Sequence, residues 1–192
     1  GCRKADATPM PRRGGGQMQL VGTAGGGTYG LEPESGRELW RVRHGGFSMS
    51  SRALVFEGAV LVNTGFMRPE LWSLQLTRSA AHAGTTQVQV NWKATRGMPT
   101  MASPVLVGDQ LFTVSDGGVA SCLDARTGRV LWKERLSGPF SASLLYAAGR
   151  VYYFDREGTC TVIAPGRTFR KLAENSLDDG CRTEEPPAEL QS

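Results

Sequence analysis

The sequence predicts an all-β fold of repeated four-stranded antiparallel sheets, and three observations lead there. The stretch "LEPESGRELW" at 31–40 recurs as "LDARTGRVLW" at 123–132, with leucine, an acid, a turn ending in glycine and a tryptophan in one register. Short runs with β-branched and aromatic content alternate with turn signals throughout. No segment carries a long apolar run at helical spacing, so helices should be minor.

The clearest unit divides into "SPVLV" (103–107), "LFTVS" (111–115), "VASCLD" (119–124) and "RVLWKER" (129–135). The intervening "GDQ", "DGG" and "ARTG" are turn chemistry, because glycine and Asp tolerate positive φ. "SASLLYAAGRVYYFDREGTCTVI" keeps this spacing, and "SRALVFEGAVLVNTG" keeps it up to an insertion. Trp92 and Trp132 are 40 residues apart, and Leu172, 40 further on, is aligned with them as a worn tryptophan position. Trp40 precedes Trp92 by 52 because of inserted loops. A period near 40 is the signature of a propeller blade or another stacked array.

Four units are expected, at 17–46, 47–99, 100–139 and 140–180, preceded by a flexible basic arm at 1–16 and followed by a disordered tail at 181–192. The first unit is expected to lack its opening strand, because "ADATPMPRR" contains two prolines. Propellers with this repeat close from six to eight blades, so four units predict an incomplete or open propeller, a fragment that self-associates through unclosed blade edges.

The motif of leucine, Asp124, two residues, Thr127-Gly128 and then Trp132 resembles the repeat of the PQQ-like (quinoprotein-like) β-propellers, over about residues 17–180. That family holds pyrroloquinoline-quinone dehydrogenases, the BamB-type lipoprotein of the outer-membrane assembly machinery and many exported proteins. The resemblance implies an exported or periplasmic protein and a protein or envelope partner. A Gly-Cys start is compatible with a lipoprotein acylated at Cys2.

In physical terms the motif is a docking device. Gly36 and Gly128 let the chain turn, and Asp124 can accept hydrogen bonds from turn amides. Trp40, Trp92 and Trp132 lie on the last strand of their units, where an indole can pack on the neighbouring blade. Cys122 aligns with Gly30 and Ser73, so its position asks for a small side chain, and Cys160 lies on the same strand face.

Residues for catalysis are sparse. His44 and His82 have no spaced partners for a metal, no CxxC exists, and no Gly-rich loop runs from a strand into a helix to hold phosphate. A quinone dehydrogenase requires a calcium site, an Asp base and an aromatic platform, and only Asn175, Asp178 and Asp179 offer such a cluster. The net charge of +4 is scattered, without aromatics interleaved along a basic groove, so nucleic-acid binding has little support, and no run of 18 apolar residues is present.

The sequence therefore favours a non-catalytic binding or scaffold module without a cofactor. The alternative is part of a dehydrogenase using PQQ with calcium, its catalytic residues outside this chain. Insertions in the second unit lengthen "NTGFMRPELW" and "LTRSAAHAGTTQ" on opposite rims, and Phe66, Met67, Arg68 and Trp72 are the expected partner contacts, since interfaces are enriched in aromatic, Met and Arg side chains; the alternative for Trp72 is packing into its own sheet.

Overall fold

A computed structural model describes residues 7–14, 17–46, 50–78 and 86–176. Among them are sixteen strands and no helix. The first sheet contains β1 (Met10–Gly14), β2 (Gln17–Ala24), β3 (Gly27–Leu31) and β4 (Glu38–Arg43). The second contains β5 (Leu54–Phe56), β6 (Ala59–Asn63), β7 (Leu71–Arg78) and β8 (Thr86–Ala94). The third is built from β9 (Val105–Val107), β10 (Gln110–Val114), β11 (Val119–Asp124) and β12 (Val130–Arg135). The fourth is built from β13 (Leu145–Ala147), β14 (Arg150–Phe154), β15 (Thr159–Ile163) and β16 (Lys171–Ser176). Each sheet is an antiparallel meander in chain order.

Turn chemistry sets the hairpins. Glu57-Gly58 joins β5 to β6 with φ of 46° and 81°, and Ala148-Gly149 joins β13 to β14 with 48° and 71°. Two consecutive positive φ values in a two-residue loop match the right-handed twist of the flanking strands.

The opening strand that the prolines argued against is present. β1 pairs with β2 from Met10↔Val21 to Gly14↔Gln17, with Pro11 opposite Leu20. It is an edge strand, and an edge tolerates proline because one row of its amides has no ladder partner to lose.

The sheets pack in sequence, and three apolar seams hold them. Val21, Trp40, Val60, Val62, Trp72 and Leu74 form the first seam, between sheets one and two. Leu61, Leu71, Trp92, Leu111 and Leu123 form the second. Phe112, Cys122, Trp132, Val151, Tyr153 and Ile163 form the third. Strand alternation explains this division: on β6, Val60 and Val62 face one seam and Leu61 the other, so every residue of the strand is buried. Among the described residues no core joins the fourth sheet to the first, and the four sheets form an open, propeller-like array.

One irregularity repeats in all four sheets. The register between third and fourth strands shifts at Gly30/Leu31, Ser73/Leu74, Cys122/Leu123 and Val162/Ile163. Opposite these β-bulges the pairs are Gly30↔Trp40, Ser73↔Trp92, Cys122↔Trp132 and Val162↔Ala173. The tryptophan position of the last unit is thus Ala173. Leu172 instead occupies the bulge, because the turn before β16 is one residue longer than the one before β12.

Candidate functional site

The repeated motif builds the seams as follows. Asp124 Oδ1 accepts the amide of Arg126 at 3.0 Å and both the amide and the hydroxyl of Thr127 at 3.1 Å. Burial opposes ionisation of Asp124, but these hydrogen bonds and the nearby Arg167 outweigh it and hold the carboxyl below its usual range. The turn closes through Gly128, whose φ is +71°. Its bare Cα then lies under the indole of the preceding sheet, where a Cβ would come within 2.6 Å of Trp92. Trp92 Nε1 donates to Ala125 O in that turn at 3.0 Å, and Trp132 Nε1 donates to Gly166 O in the fourth sheet, also at 3.0 Å.

Trp40 behaves differently. It is buried in the first seam, yet its Nε1 donates within its own sheet, to Gln19 Oε1 at 3.0 Å. The counterpart turn in the second sheet is the lengthened β7–β8 connection, whose residues 79–85 lie outside the described ones. A Cβ on Gly30 would fall 2.0 Å from the Trp40 ring, which is why this position is small. Gly36 has φ of +69° and open space around it, so it serves its own turn and receives no indole.

The residues expected to meet a partner divide into two groups. Phe66 and Met67 are 49% and 68% exposed, and Arg68 is exposed beside them. An ordered loop carries them: Thr64 N donates to Glu70 O at 2.9 Å, Glu70 N to Thr64 Oγ1 at 3.0 Å, and Gly65 N to Asn63 Oδ1 at 2.9 Å. Trp72, in contrast, is buried in the first seam and is not a surface contact. The second sheet is covered on both faces, so a side chain on its third strand has no free side. Trp72 Nε1 donates to Glu70 Oε2 at 2.7 Å, Lys93 Nζ lies 3.6 Å from its ring centroid, and His44 meets it edge-on at 5.7 Å.

Ionic contacts not foreseen from the motif span the second, third and fourth sheets. Arg126 pairs with Glu57 and with Asp109, the latter at 3.1 Å. Arg167 pairs with Asp109 at 2.6 Å and Asp124 at 3.5 Å. Arg126 occupies a variable place in the turn motif, and the only signal for this role was its position beside the Asp124 cap.

Among the described residues no three His, Cys, Asp or Glu side chains gather as a metal site. Asn175 lies on β16, exposed and opposite Cys160, while Asp178 and Asp179 lie outside the described residues, as do Cys2, Cys181 and His82. Cys122 is fully buried, its thiol pushed up to about 12 by burial, and Cys160 is half-buried; both are free thiols.

A family profile described as outer membrane protein assembly factor BamB matches residues 70–168. No curated protein matches the sequence. Among solved structures, BamB from Moraxella catarrhalis is similar at 18% identity and a TM-score of 0.59, over 86% of this chain and 50% of that one. The quinohemoprotein alcohol dehydrogenase of Comamonas testosteroni is similar at 12% identity and a TM-score of 0.61, over 82% of this chain and 34% of that one. A quinohemoprotein alcohol dehydrogenase of Pseudomonas putida HK5 gives 15% identity and a TM-score of 0.63, over 91% and 34%. The chain thus spans half the length of the first and about a third of the other two. At these identities the likeness is one of fold.

Proposed function

The chain belongs to the PQQ-like repeat family described as outer membrane protein assembly factor BamB, and we propose that it is a non-catalytic binding module that holds a protein partner in the cell envelope. The observation that carries this reading is the loop at 64–70. Phe66 and Met67 are exposed on a backbone tied by hydrogen bonds at both ends, and Met67 adopts a φ of +73°, a conformation that a non-glycine residue rarely takes. An exposed aromatic, a Met and an Arg held in this way form a ready contact surface that loses little entropy on binding. The proposal needs no cofactor. The likeness to BamB supports an envelope location, and self-association through exposed sheet faces is part of the same reading.

A photo-crosslinking residue at position 67 of the full chain, exposed to an envelope extract, is expected to give a discrete protein adduct that disappears when residues 66–69 are shortened. Adduct formation that is indifferent to the loop would reject it as the contact. Titration with PQQ and calcium tests the dehydrogenase alternative, and tight stoichiometric binding with dye-linked alcohol or sugar oxidation would replace the scaffold reading.

A further inference from the structure

The bulged residue of each sheet is skipped by the ladder and sits just before the tryptophan position. It is Leu39 in the first sheet, Leu131 in the third and Leu172 in the fourth. Leu39 packs against the first seam and Leu131 against the third. In the second sheet the same position is Asn91. Beside this asparagine, in the second seam, lies a pocket of about 200 Å3, lined by Phe56, Glu57, Ser73, Gln75, Asn91 and Arg126.

We infer that this pocket is a binding site for a neutral, hydroxylated ligand the size of one sugar ring. Charge decides against an ionic ligand. The Arg126 guanidinium is already paired with Glu57 and Asp109 and lies 5.2 Å from the Phe56 ring centroid, so no uncompensated charge faces the pocket.

The remaining polar groups are two carboxamides and a hydroxyl, which both donate and accept, as sugar hydroxyls do. The side-chain carboxamide of Gln75, whose backbone pairs with Gln89, has no hydrogen-bond partner among the described residues, and Asn91 Nδ2 reaches Ser73 Oγ at a long 3.4 Å, a contact that a ligand can displace. Phe56 supplies an apolar wall. The volume falls below the roughly 300–1,000 Å3 of pockets for drug-sized molecules, which sets the limit at one ring.

The test uses the indole N–H resonance of Trp92. That group bonds to Ala125, which also lines the pocket, so occupancy should shift it. The full chain is titrated with N-acetyl-D-glucosamine, D-mannose and myo-inositol up to ~50 mM, well above the ~1 mM range in which small ligands bind weakly. A saturable shift with at least one of them is expected, weakened about tenfold or more in Asn91→Leu, which places the bulge leucine of the other sheets in the pocket, and in Gln75→Ala, which removes a carboxamide. The absence of a saturable shift with all three overturns the site, as does affinity unchanged in both variants. Tighter binding of mannose 6-phosphate than of mannose overturns the neutral ligand class.

Discussion

Trp92 Nε1 on one sheet donates a 3.0 Å hydrogen bond to the carbonyl of Ala125 on the next, and Trp132 repeats the contact with Gly166 one sheet later. Each indole fills a seam and also satisfies a turn carbonyl across it. Trp132 additionally meets Phe169 edge-on at 5.2 Å. Trp132→Ala should therefore cost about 3–5 kcal/mol by opening a cavity between sheets. Trp132→Phe, which keeps most of the volume but loses the donor, should cost nearer 1–3 kcal/mol. Urea denaturation of the two variants would separate packing from the hydrogen bond, and a wild-type midpoint for Trp132→Ala would contradict the seam.

Gly128 and Gly36 share a positive φ but not an environment. Alanine at 128 must accommodate both the left-handed backbone and a Cβ at 2.6 Å from Trp92, whereas alanine at 36 meets open space. Gly36→Ala should cost about 1–2 kcal/mol from backbone strain alone. Gly128→Ala should cost a further ~1–3 kcal/mol from overpacking. Equal losses in a parallel denaturation series would mean that the indole moves aside freely.

The repeat was legible because its spacing reports turns, and turn residues are dictated by local backbone geometry. Glycine, Asp and tryptophan in register indicate the meander, and the alignment of Cys122 with Gly30 and Ser73 marks a position that takes a small side chain, which the structure places opposite a tryptophan. Tertiary context was harder to read. Pro11 argued against a strand that exists because it lies at an edge, a property that only the assembled sheet defines. Counting forty residues placed Leu172 at the tryptophan position, but the longer final turn moves that position to Ala173. Trp72 looked like a surface contact since nothing in "PELWSL" says that a second sheet covers it. The pocket beside Asn91 depends on a bulge, which an unpaired sequence does not display.

Cys122 should be chemically silent in the folded protein. It is fully buried against Trp132, and burial pushes its thiol up to about 12, so almost no thiolate exists near neutral pH. With the other three cysteines replaced by serine, a thiol reagent such as Ellman's should react only on unfolding, at a rate that follows denaturant concentration. Prompt stoichiometric labelling of the native protein would show that the third seam opens readily.

His44 should make stability depend on pH. Burial, opposed only in part by Glu70, lowers its imidazole from an ordinary 6.5 to about 4. Its Nε2 lies 3.1 Å from Thr28 Oγ1, while Nδ1 is buried without a partner, so a second proton has nowhere to be hydrogen-bonded. Between these two values the unfolded chain binds more protons than the folded one. The contribution of the neutral ring is therefore complete above about pH 6.5 and is lost as pH falls towards 4. Urea midpoints measured from pH 7.5 to pH 4.5 should decline, and His44→Gln should flatten part of that decline. An identical slope in the variant would assign the acid sensitivity to carboxylates instead.

The last sheet should drive self-association. β13 and β16 are exposed along their whole length, with Leu145 at 51%, Tyr146 at 42% and Leu172 at 43% exposure, and the alanine at position 173 presents no indole to a following sheet. Leu145 and Leu172 lie on the two edge strands of this sheet, and exposed apolar side chains at sheet edges favour contact with another sheet. Sedimentation of the chain alone should show concentration-dependent association. Replacing Leu145 and Leu172 together by lysine should shift it towards monomer without altering the unfolding midpoint by more than about 0.5 kcal/mol in stability, since both sites lie at the surface. A compact monomer at all concentrations would show that these side chains are too dispersed to act as a docking face, and would leave the 64–70 loop as the contact surface proposed for this protein.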